Sequence, residues 1–400
     1  MTVVRPTAPE LTGPLVDEAF CAGDPSAHHA RLRAEAPVVW HQPADGPGWW
    51  VVSTQPEVLA VSKDSATFCS GRGILTMEIG FEYPTPPTMM HTDPPDHTRY
   101  RKLVQPGFSP SRMRALEDPI RALAVRLLDR LPTGEPVDIV PALAEPYPVD
   151  VIADLLGIEP EDRDRFVLWS DATIPGASDL GLEERMALTA EMQTFLMAAG
   201  RARRGSDGTD LISVLANVEV DGERLTDDEL LMFFNQLLVA GNETTRNMIS
   251  GGLWALATHP EQMARLVADP ALIPSCVEEW LRWTTPVVAF MRTATVDTEL
   301  RGVPIAAGEP VLMLYAAANR DAEVFGADAE EFRIDRDPNP HLSLGFGTHF
   351  CIGAALARLE GRILLEELLR RWSSIEPAGE VVRTGSAIIA GTKHAPVVLG

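Results

Sequence analysis

Cysteine is scarce in this sequence. The four cysteines stand at positions 21, 69, 276 and 351, and no two of them form a Cys-x-x-Cys pair. Disulfide-stapled secreted domains are short and dense in cysteine, and cysteine-based zinc sites usually contain Cys-x-x-Cys pairs. The sequence therefore argues against both kinds of site, and it fits a reducing compartment.

Positive charge and long apolar runs are also in short supply. The chain has 34 Lys and Arg residues against 57 Asp and Glu, a net charge of −23, which argues against binding nucleic acid or an anionic membrane surface. No run approaches the ~20 apolar residues of a membrane span. The N-terminal stretch MTVVRPTAPELTG lacks the apolar core of a signal peptide. We expect a soluble, cytoplasmic protein.

The sequence contains no low-complexity linker and no internal repeat. Its 400 residues, 45% hydrophobic and 23% charged, have an ordinary globular composition and can bury a substantial core. We therefore predict one large domain that covers residues 1–400.

The segment Leu344–Gly353, read LGFGTHFCIG, places one cysteine among three glycines. Gly345, Gly347 and Gly353 allow tight turns and a close approach to a flat partner. The run that follows has apolar residues at helical spacing, so Cys351 lies at or just before a helix N-terminus, which favours the thiolate. A thiolate on such a loop is a metal ligand or a nucleophile. The alternative is a buried cysteine that acts as a small hydrophobe.

A long buried helix is predicted from the run LTDDELLMFFNQLLVAGNETTRNMISGGLWALATHP. Thr226 and Glu229 have the spacing of a capping box, and Leu225 and Leu230 that of a hydrophobic staple. Apolar residues occur on every face of this helix. At ~30 residues it is roughly 45 Å long.

Charged residues at helical spacing mark two further segments. In SCVEEWLRW, Glu279 and Arg282 are three residues apart and can pair, although such pairs are often weak surface contacts. In HTDPPDHTRYRKL, Asp93 is predicted to cap a helix that places His97 and Arg101 on one face. The alternative for that face is a solvated cationic surface.

Three of these motifs together resemble the cytochrome P-450 haem-thiolate monooxygenases. GFGTHFCIG, AGNETT at Ala240–Thr245 and EWLR at Glu279–Arg282 follow that family's order and spacing, over nearly the whole chain. One residue departs from the pattern, since Leu344 stands where the family usually has phenylalanine. The resemblance implies a mainly α fold with a small β region, in which a long central helix lies over the haem.

The same resemblance implies the residues that hold a haem b. Cys351 corresponds to the axial thiolate ligand. The other implied haem-binding residues are His97, Arg101, Arg292, His349, Gly345, Phe346 and Gly353. Glu279, Arg282 and Arg336 correspond to a structural cluster that locks the haem-binding loop.

The middle of the long helix is implied to handle oxygen and protons. Gly241 is a poor helix former and the Thr244 hydroxyl can bond back to a carbonyl, so the helix is expected to open there into a groove. Ala240, Gly241 and Thr244 would line a site for dioxygen. Glu243 and Thr244 would form an acid–alcohol pair that delivers protons. A mildly irregular buried helix is the alternative.

The implied substrate pocket draws on three segments. The predicted loop Gly71–Pro87 is unusually apolar, a strand faces the substrate, and a C-terminal hairpin completes the wall. The residues implied to line it are Ile74, Leu75, Val287, Val288, Ala289 and Ile388.

The implied reaction inserts one oxygen atom from O2 into an apolar small molecule, such as a sterol, terpenoid, fatty acyl or polyketide-like compound. The sequence has no G-x-G-x-x-G fingerprint, flavin module or iron–sulfur cysteine set, so electrons are expected from a separate ferredoxin and its reductase. A peroxide-using haem enzyme and a non-catalytic haem-thiolate sensor or carrier are the alternatives. The acid–alcohol pair argues against both.

Overall fold

The computed structural model describes residues 5–81, 83, 88–173 and 180–400. Residues 82 and 84–87 of the predicted loop Gly71–Pro87 thus lie outside the described residues. The helices of the described part are α1 Pro9–Thr12, α2 Glu18–Cys21, α3 Ser26–Glu35, α4 Gln55–Lys63, α5 Asp96–Val104, α6 Pro110–Ala115, α7 Glu117–Leu128, α8 Pro146–Leu156, α9 Arg163–Thr173, α10 Leu182–Arg203, α11 Leu211–Asn217, α12 Asp227–Thr258, α13 Pro260–Ala268, α14 Ile273–Thr284, α15 Tyr315–Ala318, α16 Ala322–Phe325 and α17 Ala354–Leu369.

The strands of the described part are short. They are β1 Val38–His41, β2 Trp49–Val52, β3 Phe68–Cys69, β4 Pro136–Asp138, β5 Ala289–Ala294, β6 Thr298–Leu300, β7 Val303–Ile305, β8 Pro310–Leu314, β9 Ile375–Pro377, β10 Val382–Arg383, β11 Thr392–His394 and β12 Pro396–Leu399. Helices therefore dominate, and the predicted mainly α fold with a small β region is confirmed. No helix of the described part is both long and apolar enough to cross a membrane.

The first of two compact units holds most of the β structure. It comprises the described residues of 5–94, together with 275–351 and 382–393. Its main sheet has the strand order β1-β2-β8-β5-β3, with β2 and β8 parallel and the other neighbours antiparallel. Trp50 and Val52 pack into one apolar cluster, while Trp49 and Val51 pack into another. Because successive strand side chains point to opposite faces, both faces of the sheet are buried.

The second unit is almost entirely helical. It comprises the described residues of 95–274, together with 352–381 and 394–400. The long helix α12 packs on α8 and α10, and α17 packs on α7. A three-stranded antiparallel sheet of order β4-β12-β9 belongs to the same unit.

The start of α12 forms as its sequence predicts. The Thr226 hydroxyl accepts from the Glu229 amide at 3.2 Å, and the Glu229 carboxylate accepts from the Thr226 amide at 2.8 Å. Leu225 and Leu230 are both buried. A cap of this kind is worth about 1 kcal/mol, so local chemistry fixes where this helix begins.

The predicted cap on α5 is wrong. The helix begins at Asp96, and its N-cap Pro95 makes no side-chain cap bond. The Asp93 carboxylate instead accepts from the amides of Ser70 and Gly71, at 2.8 and 2.9 Å. Asp93 therefore fixes the start of the loop that begins at residue 70, and α5 begins two residues later than the sequence suggests.

Candidate functional site

The cysteine loop depends on backbone conformations that favour glycine. Gly345 and Gly347 have φ of 69° and 70°, and the Cys351 amide donates to the Leu344 carbonyl at 2.8 Å. A Cβ at Gly347 would lie 2.5 Å from the carbonyl oxygen of Ser62, at the end of α4. Both a left-handed backbone and a missing side chain are therefore needed at this position.

Cys351 follows this turn and is half-buried, with no disulfide. Gly353 is the residue before α17, and its carbonyl accepts from the Ala357 amide at 3.0 Å. Cys351 therefore stands just ahead of a helix N-terminus, as predicted, where the helix dipole favours a thiolate. Leu344 is buried at the base of the turn, and Phe346 is largely exposed at its tip.

Two further predicted cofactor residues lie in the same unit as the cysteine loop. The His349 ring nitrogen Nε2 lies 3.0 Å from the Ser70 hydroxyl. Arg292 on β5 is 7% exposed, and its guanidinium donates to the Met291 carbonyl at 2.6 Å. Burial lowers the pKa of Arg292, and no carboxylate of the described residues forms an ion pair with it. A buried cation without an ionic partner suits an anionic ligand such as a propionate.

The remaining predicted cofactor residues lie in the second unit. His97 and Arg101 are four residues apart on α5, where His97 is buried and Arg101 half-buried. The side chains are therefore not a fully solvated cationic face. Donors of this kind, a glycine turn and a half-buried thiol are the chemical set that a haem b requires, so the residues present fit that cofactor.

The predicted bond from the Thr244 hydroxyl back along α12 forms, since it donates to the Ala240 carbonyl at 2.7 Å. It does not interrupt the helix, which continues throughout Asp227–Thr258. Gly241 has a different role from the expected one. A Cβ there would lie 2.7 Å from the Ile152 side chain on α8, so the glycine allows these two helices to pack closely.

Glu243 is buried and already has partners on its own helix. Its carboxylate oxygens accept from Arg246 Nη1 at 3.3 Å and from Asn247 Nδ2 at 3.2 Å. Sequence reasoning missed both partners, although residues three and four positions on share a helix face. The acid is thus held by a charged and a neutral donor.

The predicted structural cluster is fully buried. Arg282 and Glu279 are both 0% exposed and form two bonds, at 2.8 and 2.7 Å. Arg282 also donates to the carbonyls of Asn319, Ala329 and Glu331. Arg336 Nε lies 3.4 Å from Glu279 Oε2, which also accepts from Arg282 Nε. The alternative of a weak surface pair does not hold.

An apolar cavity in the first unit contains four of the six predicted pocket residues. Apart from Thr76, every side chain that lines it is apolar. The lining residues are Leu15, Val16, Ile74, Leu75, Thr76, Ala289, Leu312, Leu314, Ala387 and Ile388. Val287 and Val288 do not line it, because they precede β5 and pack on the two apolar clusters of the sheet. The Val288 amide donates to the Ile388 carbonyl at 2.7 Å.

Comparison with known proteins gives consistent matches. The family model described as Cytochrome P450 matches residues 189–386. A steroid C26-monooxygenase of Mycobacterium tuberculosis is 40% identical, covering 88% of this chain and 87% of the relative. A methyl-branched lipid omega-hydroxylase of the same species is 38% identical, with 92% and 89% covered. The crystal structure of CYP108D1 from Novosphingobium aromaticivorans has a TM-score of 0.89 at 34% identity, with 99% and 100% covered.

Proposed function

Because the chain belongs to the cytochrome P450 family of haem-thiolate monooxygenases, we propose that it hydroxylates an apolar, methyl-branched alkyl chain near its end. The enzyme class and the cofactor, haem b, follow from the family. What we propose beyond the family is the position on the alkyl chain at which the oxygen atom is inserted. It is supported by the two relatives above, whose names specify a steroid C26 and the omega end of a methyl-branched lipid. The apolar lining of the cavity at Ile74 and Ile388 accords with such a chain.

The cysteine loop is the observation that carries the proposal. The Cys351 thiolate would bind the haem iron, and Gly345, Phe346 and Gly353 would belong to the loop that holds the haem. His97, Arg101, Arg292 and His349 would bind the propionates, for which positively charged donors are suited. Haem b, when bound, supplies the activation of dioxygen, and thiolate ligation is the form that favours O–O cleavage.

Thr244 and Glu243 would supply protons. The Thr244 hydroxyl donates a hydrogen bond to the Ala240 carbonyl. The hydroxyl oxygen can therefore still accept a hydrogen bond from a group that carries a proton. Adjacent side chains leave a helix about 100° apart, so a proton from Glu243 reaches Thr244 through a water molecule rather than directly. Each Glu243 oxygen accepts one bond, from Arg246 or from Asn247, and has a second lone pair at which solvent water can bring the proton that is passed on.

Removing the Thr244 hydroxyl should uncouple electron consumption from product formation. In Thr244→Ala we expect apolar compounds to bind as before and reduced nicotinamide to be consumed, while about 90% of the flux appears as hydrogen peroxide. A lost proton relay typically costs 10²–10⁴-fold in rate, enough for peroxide release to dominate. Product and peroxide are measured in the same reaction.

Thr258→Ala is the matched control for this prediction. Thr258 lies on the same helix, and its hydroxyl donates in the same way to the carbonyl four residues earlier, at 2.9 Å. The control should keep the coupling of the wild-type enzyme. Equal coupling in Thr244→Ala and Thr258→Ala would remove Thr244 from the mechanism.

The proposed electron donors are a separate ferredoxin and its reductase, and the proposed location is the cytoplasm. The four cysteines are all free thiols, which accords with a reducing compartment. The matches cover most of the chain, which supports one catalytic domain over residues 1–400.

A substrate panel tests the proposed function. Methyl-branched fatty acids, straight-chain acids of the same carbon number and polar analogues are added while the haem band is followed. Each buried methyl branch is worth about 0.8 kcal/mol, or a factor of about four in Kd. Turnover is then run under ¹⁸O2 with ferredoxin and reductase, and separately with hydrogen peroxide alone.

We expect the branched acids to bind most tightly and the product to be an alcohol near the chain end that contains one ¹⁸O atom. A protein that responds to none of the apolar compounds contradicts the proposal. Efficient turnover with peroxide alone, and none with the protein donors, favours the peroxide-using alternative instead.

A further inference from the structure

A buried carboxylate organises the loop that forms one wall of the apolar cavity. Glu78 is 7% exposed, and its Oε2 accepts from the backbone amides of Ile74 and Leu75, at 2.7 and 3.0 Å. These are two of the residues that line the cavity. One side chain therefore fixes the backbone of this part of the wall.

The second oxygen of Glu78 is also occupied. Its Oε1 accepts from the Tyr83 hydroxyl at 2.9 Å and lies 3.1 Å from His91 Nε2. The other ring nitrogen of His91 lies 2.9 Å from the Thr88 hydroxyl. Gly73 lets the carboxylate approach, because a Cβ there would lie 3.0 Å from the Glu78 Cβ and the backbone φ is 106°.

These contacts keep the carboxylate charged although it is buried. Burial by itself raises the pKa of Glu78, but the hydrogen bonds from His91 and the Ile74 amide outweigh it and lower the pKa to about 2. At neutral pH the group is therefore an ionised acceptor. Hydrogen bonds to an ionised acceptor are stronger than those to a neutral one, roughly twofold.

Apolar burial fixes only part of the rest of this loop. Ile79 packs on the apolar cluster that contains Trp49 and Val51, whereas Met77 and Phe81, on either side of Glu78, are 71% and 61% exposed. The Ile74 carbonyl accepts from the Met291 amide on β5 at 2.7 Å, which attaches the loop to the sheet. Polar contacts to Glu78 connect the Ile74 and Leu75 amides to Tyr83 and His91.

We propose that Glu78 is a positioning residue for substrate binding, which holds Ile74 and Leu75 in the cavity wall and so sets the fit of the apolar substrate. This role rests on the proposed function, in which Ile74 and Leu75 belong to the apolar wall that the alkyl chain contacts. Glu78 does not touch the reacting atoms. It acts through the two backbone amides, and His91 and Tyr83 keep its carboxylate in place.

Amide hydrogen exchange tests the structural half of the proposal in the haem-loaded protein. In the wild type, the Ile74 and Leu75 amides should exchange at least about tenfold more slowly than in an unstructured chain. Glu78→Ala should abolish that protection. Glu78→Gln should retain it, because the amide carbonyl can accept both bonds. Wild-type amides that exchange as in an unstructured chain overturn the proposal, even if the alanine variant does not fold.

Substrate affinity tests the functional half. If the wall is correctly placed only about a tenth of the time in Glu78→Ala, the apparent Kd rises about tenfold. KM should rise to a similar extent while kcat stays within about twofold, and Glu78→Gln should restore both. Asp297→Ala is the control, because Asp297 also accepts from a loop amide, that of Ala307 at 2.8 Å, but Ala307, unlike Ile74 and Leu75, does not line the cavity.

The outcomes separate this role from the proposed function. Lost amide protection with unchanged affinity overturns the role of Glu78 and leaves the proposed function standing. An equal loss of substrate affinity in Asp297→Ala also overturns the role of Glu78, since a hydrogen bond in another loop would then affect affinity as much. A wild-type protein that binds none of the apolar compounds overturns the proposed function, and with it the role of Glu78 in binding.

Discussion

Replacing Cys351 with alanine should abolish the thiolate signature and the monooxygenase activity together. The reduced carbon monoxide complex of the wild-type protein should show the red-shifted band of thiolate ligation, and Cys351→Ala should lack it. No other cysteine of the described residues follows a glycine turn and precedes a long helix as Cys351 does. The measurement is the absorbance difference spectrum of the reduced protein, with and without carbon monoxide.

Two variants make this test specific. Cys21→Ala is the matched control, because Cys21 is also a half-buried free thiol, and it should keep both the band and the activity. Cys351→His should still bind haem, but with the spectrum of a nitrogen ligand, as in proteins that use a proximal histidine. A Cys351→Ala protein that keeps the red-shifted band would show that the ligand is another residue.

The second large effect is expected on stability. Glu279→Ala removes the counter-charge of Arg282, which is 0% exposed, and of Arg336. It also removes the acceptor of the Arg333 amide at 2.8 Å and of the Asn339 side chain at 3.1 Å. Breaking a buried pair from one side costs about 3–5 kcal/mol, because the partner charge is left in the interior.

The cost should appear as loss of haem as well as loss of fold. Asn339 bonds to Glu279, and the Ser343 hydroxyl bonds to the Leu281 carbonyl at 2.6 Å. Both residues lead directly into the cysteine loop. We therefore expect Glu279→Ala to release haem at lower denaturant concentration than the wild type, with the unfolding midpoint displaced to match.

An exposed pair supplies the control for this prediction. Arg31 and Glu35 form a similar pair on α3, but their side chains are 56% and 50% exposed. Glu35→Ala should leave the unfolding midpoint close to that of the wild type, because exposed pairs contribute little to stability. Equal destabilisation by Glu279→Ala and Glu35→Ala would mean that burial adds nothing to the first pair.

Features encoded in neighbouring residues could be predicted from the sequence. The capping box at Thr226 and Glu229 and the glycine turn before Cys351 each depend on a few adjacent residues, and the structure forms both. The resemblance to the P450 family was also confirmed, since its motifs have fixed spacing. Signals from neighbouring residues were sufficient wherever the interacting groups lie within a few residues of each other in the sequence.

Partners distant in sequence could not be predicted. Asp93 has the sequence signal of a helix cap, yet amides more than twenty residues away take its carboxylate. Glu78 and His91 are 13 residues apart in a loop without periodicity, so nothing in the sequence links them. The contacts of Glu243 with Arg246 and Asn247 were within reach, by helical spacing of the kind that identified Glu279 and Arg282.

The close approach of Gly347 to Ser62 has an evolutionary consequence. One side of the contact is a backbone carbonyl, which every residue type carries, and the other is the hydrogen that glycine has in place of a Cβ. As far as this contact is concerned, position 62 can drift freely while position 347 cannot change at all. At this contact, mutation is therefore tolerated at position 62 but not at position 347. Selection for a working cysteine loop acts on the loop and not on α4, the helix that supports it.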